Sequence, residues 1–242
     1  MTQWPDSTKT GEPDDRASIA LGLRENGYAF LPEWECNLAT QAAASKFGHV
    51  IDIESILAGS GIPTVQRLTP RRQSNAPKTH YSGNFGFGAF PLHSDLAHWA
   101  WPPRYFMLRC INGAPEIATT ILHIEAVSDA VGEAKIRRGL TKPRRASSFG
   151  TASLLPVAIH SKDTVGMRWD SLFLAPMNAA AEDIKEFMLR EASHSSQVRR
   201  VFLHRSGDTL IIDNWKVLHG RSSAPENADR IIERIYLSEV TI

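Results

Sequence analysis

Apolar residues in the second half of this chain either alternate with polar ones or run unbroken, as in strands buried on one or both faces. Strands are predicted at residues 104–111 (RYFMLRCI), 118–123, 151–159, 166–174, 201–204, 208–213, 216–218 and 230–240. Helical spacing is clearest over 179–192, where Ile184, Phe187, Met188 and Leu189 form an inward stripe. Shorter helices are predicted at 17–24, closed by Asn26-Gly27, at 37–47 and at 124–132, with a strand at 28–31. Residues 50–57 fit either a strand or a helix. The stretch 64–91 is rich in Pro, Asn, Gly and Ser and reads as strands joined by long loops. Neither a repeat nor a linker divides the chain. Residues 17–242 therefore read as one domain, mainly β with helices (α+β). Many short strands form an antiparallel sandwich, with helices from the N-terminal part and from one insertion. Residues 1–16, polar and carrying Asp and Pro, read as a disordered tail.

Composition narrows the function classes. The 242 residues, 42% of them hydrophobic, suffice for one large core. Lys plus Arg (27) nearly balances Asp plus Glu (26), so bulk charge predicts no nucleic-acid or membrane partner. One segment departs from this balance: 135–145 (KIRRGLTKPRR). Such a run reads first as a solvated loop; the alternative is a site for an anionic substrate or for the phosphate arm of a carrier protein. Cys36 and Cys110 are far apart and in no C-x-x-C, which speaks against a disulfide or a thiolate metal site. No apolar run approaches the roughly 18 residues of a membrane span, and the N-terminus is unlike a secretory signal, so a cytoplasmic location is expected. Nothing in the sequence fixes the oligomeric state.

Candidate chemistry centres on Phe90-Pro91-Leu92-His93-Ser94-Asp95-Leu96. Side chains two apart on a strand share a face, so His93 and Asp95 aim an imidazole and a carboxylate at a common point. Alone, H-x-D is as readily a solvent-facing strand end. A third donor, His219 in Asp213-Asn214-Trp215-Lys216-Val217-Leu218-His219-Gly220-Arg221, would complete two histidines and one carboxylate, the facial triad of non-haem iron(II) oxygenases. In the last strand Arg230, Ile232, Arg234 and Tyr236 share one face. If that face is inward, two guanidinium groups enter the sandwich, where a carboxylate-bearing ligand would satisfy at least one; the alternative is pairing with acids of the chain itself. The run Gly83-Asn84-Phe85-Gly86-Phe87-Gly88 opens no amphipathic helix after a strand, so it reads as a flexible approach to the metal strand rather than a nucleotide loop.

His93-x-Asp95, then Asp213-Asn214-x-x-x-x-His219-Gly220-Arg221, then Arg230 eleven residues past the second histidine, resemble the TauD/TfdA family of Fe(II)- and 2-oxoglutarate-dependent dioxygenases, which includes taurine dioxygenase-like and clavaminate synthase-like enzymes. The likeness spans about 90–237 and is dense only in the two motifs. It implies a double-stranded β-helix (jelly-roll) core, with Fe(II) held by His93, Asp95 and His219. It further implies that Arg230 grips the distal carboxylate of 2-oxoglutarate, assisted by Thr120, although Ile117-Ala118-Thr119-Thr120 replaces the family's Gly-Gly-x-Thr and leaves Thr119 as the alternative. Arg234 matches the residue that grips the substrate's sulfonate in taurine dioxygenase; here it would hold a substrate acid group or support the cosubstrate. Asn214, with Asp213, is expected to support His219 from behind. The implied reaction consumes O2 and 2-oxoglutarate, releases succinate and CO2, and hydroxylates an unactivated C–H bond. Desaturation or ring chemistry are variants, and the retained Asp95 argues against halogenation. Asn84, Phe85, His98, Trp99 and Arg168 are the expected pocket residues, and the expected partner is a small polar, amino-acid-like metabolite, free or carrier-bound. A shorter stretch between the motifs than in taurine dioxygenase predicts a different lid. The alternative is a non-catalytic jelly-roll binding or regulatory protein that retains the metal motif.

Overall fold

The computed structural model describes residues 13–145, 154–161 and 164–241. The first helix, α1 (Pro13–Glu25), starts four residues earlier than the sequence pattern suggested, with Pro at its opening position, where the missing N–H leaves no hydrogen bond unmade. Gly27 ends this entry segment at φ +74°, and a Cβ there would sit 2.5 Å from Val217 Cγ1. The chain continues through β1 (Tyr28–Leu31), α2 (Thr40–Ser45), α3 (Ile53–Ile56), β2 (Gln66–Leu68), α4 (Tyr81–Phe85), β3 (Phe90–His93), β4 (Tyr105–Asn112) and β5 (Ala118–His123). Next come α5 (Ile124–Val131), α6 (Glu133–Arg138), β6 (Leu140–Pro143), β7 (Leu155–Pro156), β8 (Ala158–Ser161), β9 (Thr164–Met167), β10 (Leu174–Pro176) and α7 (Ala179–Arg190). The chain closes with β11 (Arg199–Phe202), β12 (Thr209–Asp213), β13 (Val217–Arg221) and β14 (Ile231–Leu237).

A five-stranded sheet, β1-β12-β4-β14-β2, faces a four-stranded one, β11-β5-β13-β3, and every pairing is antiparallel. This is a jelly-roll sandwich flanked by helices. Alternation along each strand assigns its residues to layers. Phe106, Leu108, Cys110, Ile121, Leu210, Ile212, Val217, Ile232 and Tyr236 pack between the sheets. The intervening Met107, Ile211, Ile235 and Leu237 turn outward against α1 and α2. On the other sheet Leu92, Leu122 and Leu218 face a second outer layer that includes Ile136 of α6 and Ile184 and Met188 of α7. Burial on both faces explains why these strands read as continuous apolar runs.

Three sequence expectations are corrected. The basic segment is no solvated loop: α6 and β6 occupy most of it, and Lys135 pairs with Asp183 of α7 at 2.7 Å. The glycine-rich approach to β3 contains a short helix, α4, held where Asn84 Nδ2 donates to the carbonyls of Lys78 and His80. Leu189 of α7 is exposed, because Ala181, Ile184 and Met188 define the inward stripe. Part of the strand expected at 151–159 lies outside the described residues.

Candidate metal centre

Antiparallel pairing of β3 with β13 sets His93 opposite His219. Gly220 makes this approach possible, since a Cβ at that position would lie 2.5 Å from the Phe90 carbonyl oxygen. Asp95 follows on the turn after β3. His93 Nε2 lies 3.7 Å from Asp95 Oδ1, and His219 Nε2 lies 3.6 Å from the same oxygen. Donor atoms of all three fall within 4.8 Å of one another, and all three residues are buried. Metal–ligand bonds of about 2.1 Å set neighbouring donors about 3 Å apart, so the two histidine–aspartate distances need to shorten by well under an ångström to close on a first-row divalent ion.

The surroundings prepare the donors for that role. His93 Nδ1 lies 2.8 Å from the Pro91 carbonyl oxygen, which only accepts, so Nδ1 carries the proton and the Nε2 lone pair faces the triad. Burial, together with His93 and Arg234 and against Asp95, pushes His219 down to about 3, leaving it a neutral base. Burial opposes charge on Asp95, but Arg234, His219 and His93 outweigh it and hold the carboxyl well below the usual carboxylate range. For His93 burial again works against protonation, and Asp95 and Asp170 outweigh it in the other direction.

Asp95 is anchored at both ends. Asn214 Oδ1 accepts from its backbone N–H at 2.8 Å, and Asn214 Nδ2 donates to its carbonyl at 3.0 Å. Asn214 thus fixes the aspartate, whereas the sequence pattern pointed to His219; Asp213 meets Arg104 at 3.2 Å instead. At the carboxylate, Arg234 Nη1 donates to Oδ1 at 2.8 Å and Oδ2 at 2.7 Å, and the Tyr236 hydroxyl donates to Oδ2 at 3.2 Å. Arg234 Nη2 continues to Gln66 Oε1 at 2.6 Å. Arg234 therefore points inward, as expected of the last strand, but its partner is Asp95, a carboxylate of the chain itself. Gln66 and Tyr236 were missed. Tyr236 shared the arginine face in the sequence, whereas nothing local in Gln66 announces that β2 pairs with β14.

Arg230, just before β14, is buried, and among the described residues its Nε has no hydrogen-bond partner and no acid pairs with it. Burial pushes its guanidinium down to about 10. On β13, Arg221 lies two residues past His219, opposite Thr119 on β5, with its guanidinium 3.8 Å above the Phe90 ring and donating to the carbonyls of Gly86 and Gly88. Two residues along a strand span roughly 7 Å, comparable to a five-carbon diacid. The register also separates the two threonines. Ile121 packs between the sheets and Leu122 packs outward, so Thr119 shares the inner face while Thr120 faces out beside Gly220. The family spacing selects Thr120; the strand's alternation selects Thr119.

The remaining expected residues form the wall around His93. Tyr81 stacks on the His93 ring at 4.1 Å, and Phe85 stacks on Tyr81 at 5.7 Å. Asn84 ties its own loop together through the two carbonyls already named. His98 packs against Phe173 at 5.7 Å with a buried, unpartnered Nδ1. Trp99 is partly buried against the inter-sheet cluster, while Trp101 is 62% exposed. Arg168 is not free for a ligand: it donates to the carbonyls of Ala97, Trp99 and Ala100, fastening the turn after the metal strand.

No family model and no curated protein matches the chain. Solved structures share its fold. An asparagine oxygenase in complex with Fe(II), 2S,3S-3-hydroxyasparagine and succinate aligns with a TM-score of 0.65 at 17% identity, over 92% of this chain and 78% of its own. PvcB from Pseudomonas aeruginosa aligns at 0.63 and 15%, over 93% and 80%. The non-heme iron oxygenase OrfP in complex with Fe, succinate and (3S)-hydroxy-L-Arg aligns at 0.54 and 21%, over 73% of this chain and 57% of its own. At these identities the likeness is one of fold.

Proposed function

We propose that this chain is an Fe(II)- and 2-oxoglutarate-dependent oxygenase that oxidises a C–H bond of a small polar, amino-acid-like molecule. The observation that carries this reading is the convergence of His93, Asp95 and His219 on one point, with the buried guanidinium of Arg230 beside Cys110 of the inter-sheet cluster and without an acid partner among the described residues. The donor set fits iron(II), which leaves three positions open opposite the protein ligands. Iron(II) held there would activate O2, the oxidant, one oxygen atom of which would go to 2-oxoglutarate to give succinate and CO2 and the other to the substrate C–H bond. The protein's part is placement. His93, Asp95 and His219 hold the ion; Arg234, Tyr236 and Asn214 hold Asp95; Arg230 clasps the distal carboxylate of the diacid, with Thr119 beside it. The inter-sheet apolar cluster screens the centre from water.

The asparagine oxygenase and OrfP are described with hydroxylated amino acids bound, which supports an amino-acid-like substrate here. Among the described residues no helix is long and apolar enough to cross a membrane. A single domain over 17–242 and a cytoplasmic location complete the reading.

Anaerobic titration with iron(II) and 2-oxoglutarate tests the proposal. The wild-type protein is expected to develop the weak visible charge-transfer band of the chelate, and His219→Ala to lose it. A wild-type protein without such a band leaves the jelly-roll binding protein as the alternative.

A further inference from the structure

Buried charged groups around the triad meet either a counter-charge or backbone polar groups, with Arg230 the exception among the described residues. Asp95 meets Arg234, Asp213 meets Arg104, and Arg168 and Arg221 are turned onto backbone carbonyls. Arg230 is the unmatched cation, and the reading above assigns it the diacid. The acid beside the triad that meets backbone N–H groups but no arginine or lysine is Asp170; burial pushes its carboxyl up and the nearby His93 pulls it down. This residue is 2% exposed, and no arginine or lysine of the described residues pairs with it. Its Oδ1 accepts from the backbone N–H groups of Leu172 (2.8 Å) and Phe173 (3.0 Å), which fixes the carboxylate's direction without neutralising it.

Position makes that acid relevant to the reaction. Ser94, between the two metal donors of the first motif, donates its N–H to the Trp169 carbonyl at 2.7 Å and accepts from Trp169 N–H at 3.2 Å through Oγ. The segment carrying Asp170 is thereby locked alongside the metal strand. The Tyr81 ring, stacked on His93, brings its hydroxyl next to the Asp170 carboxylate, yet that buried hydroxyl completes no well-formed hydrogen bond. Across Phe173, His98 Nδ1 is likewise buried and unpartnered. A structural aspartate at a turn has its oxygens filled, as Asp208 does by accepting from three backbone N–H groups. Asp170 has two such donors, both on Oδ1, with the Tyr81 hydroxyl as its side-chain neighbour. A carboxylate without a counter-charge in such a place is unfavourable unless a partner arrives.

We propose that Asp170 is a specificity-determining residue that binds a cationic nitrogen of the substrate, an ammonium or guanidinium, and orients it beside the metal with the Tyr81 hydroxyl as a second contact. The inference rests on the oxygenase reading. It predicts that a substrate is admitted for its positive group, since Arg234, the expected anion anchor, is engaged with Asp95.

The test uses the full-length protein with iron(II) and 2-oxoglutarate under anaerobic conditions, where the chelate band is read before any candidate is added. Absence of the band at that stage overturns the oxygenase reading itself. The twenty proteinogenic L-amino acids and putrescine are then titrated singly, each compound that perturbs the band being compared with counterparts in which one cationic nitrogen is removed or made neutral, such as succinamic acid for L-asparagine (no ammonium) or L-citrulline for L-arginine (no guanidinium). At least one cationic or zwitterionic compound is expected to perturb the band, and its counterpart to fail. Asp170→Asn keeps the acceptor for Leu172 and Phe173; it should retain the chelate band and weaken that titration by about 30-fold or more, as removal of one partner of a buried charge pair does. The proposal is overturned if no amine perturbs the band, if every counterpart binds equally, or if Asp170→Asn titrates like wild type. Loss of the chelate band itself in Asp170→Asn also overturns it, since the residue would then act on the triad rather than on the substrate.

Discussion

One nitrogen of Arg234 donates to both oxygens of Asp95, at 2.8 and 2.7 Å, across 139 positions of sequence. The contact turns a residue expected to greet the substrate into a brace for a metal donor. With Tyr236 on one oxygen and Asn214 on the backbone, it leaves the carboxylate a single orientation toward the histidines. Arg234→Gln is expected to weaken Co(II) or Fe(II) binding about 10- to 100-fold, the usual effect of losing an outer-shell partner, with Arg234→Lys intermediate. Direct metal titration measures it. Tighter binding in Arg234→Gln would mean that the repulsion between guanidinium and metal matters more than orientation.

The strand register separates Thr119 from Thr120. Thr119→Val should raise the 2-oxoglutarate concentration needed to form the chelate, by roughly tenfold for one lost hydrogen bond to a charged group. Thr120→Val, on the outer face, should leave it unchanged. Arg230→Met should weaken cosubstrate binding further while the metal titration stays as in wild type.

Arg168 is assigned to structure. Arg168→Met strips three backbone carbonyls of their donor and should lower unfolding stability by about 2 kcal/mol or more in urea titration. The chelate band is expected to persist in the folded variant. A band lost without a change in stability would return Arg168 to the binding site.

The two cysteines should behave oppositely. Cys36 is exposed, whereas Cys110 lies between the sheets, where burial, reinforced by Asp208 and opposed by Arg230, pushes its thiol up to about 11. Iodoacetamide at pH 8 should modify Cys36 and spare Cys110, as peptide mass mapping would show. Because the folded value is the higher one, the thiol favours the folded state fully below about pH 9 and loses that contribution as the pH rises through 11. Thermal unfolding followed from pH 8 to 11 should decline, less steeply in Cys110→Ala.

Much of this was legible in the chain itself. The distal Asp-Asn-x-x-x-x-His-Gly-Arg was legible through a family resemblance, and the arginine face through the period of two of the last strand. Side chains two apart on a strand share a face in any sandwich. His93 and Asp95, expected on one strand, instead meet because β3 ends at His93 and turns. The basic segment misled because charge density reports solvent contact, not secondary structure: α6 exposes its lysine and arginines while Ile136 packs inward. Leu189 misled because an apolar residue at the edge of a helical stripe faces either way until its neighbours are placed.

By itself, the sequence named the candidate donors, through the H-x-D spacing and the resemblance carried by the distal motif, and the inward face of the last strand, through its period of two. Tertiary structure alone decided who meets whom: that Arg234 closes on Asp95, that Thr119 faces inward, and that Asp170 stands beside His93 without a cation. Those outcomes depend on register between strands distant in sequence, and a shift of one residue would reverse every face.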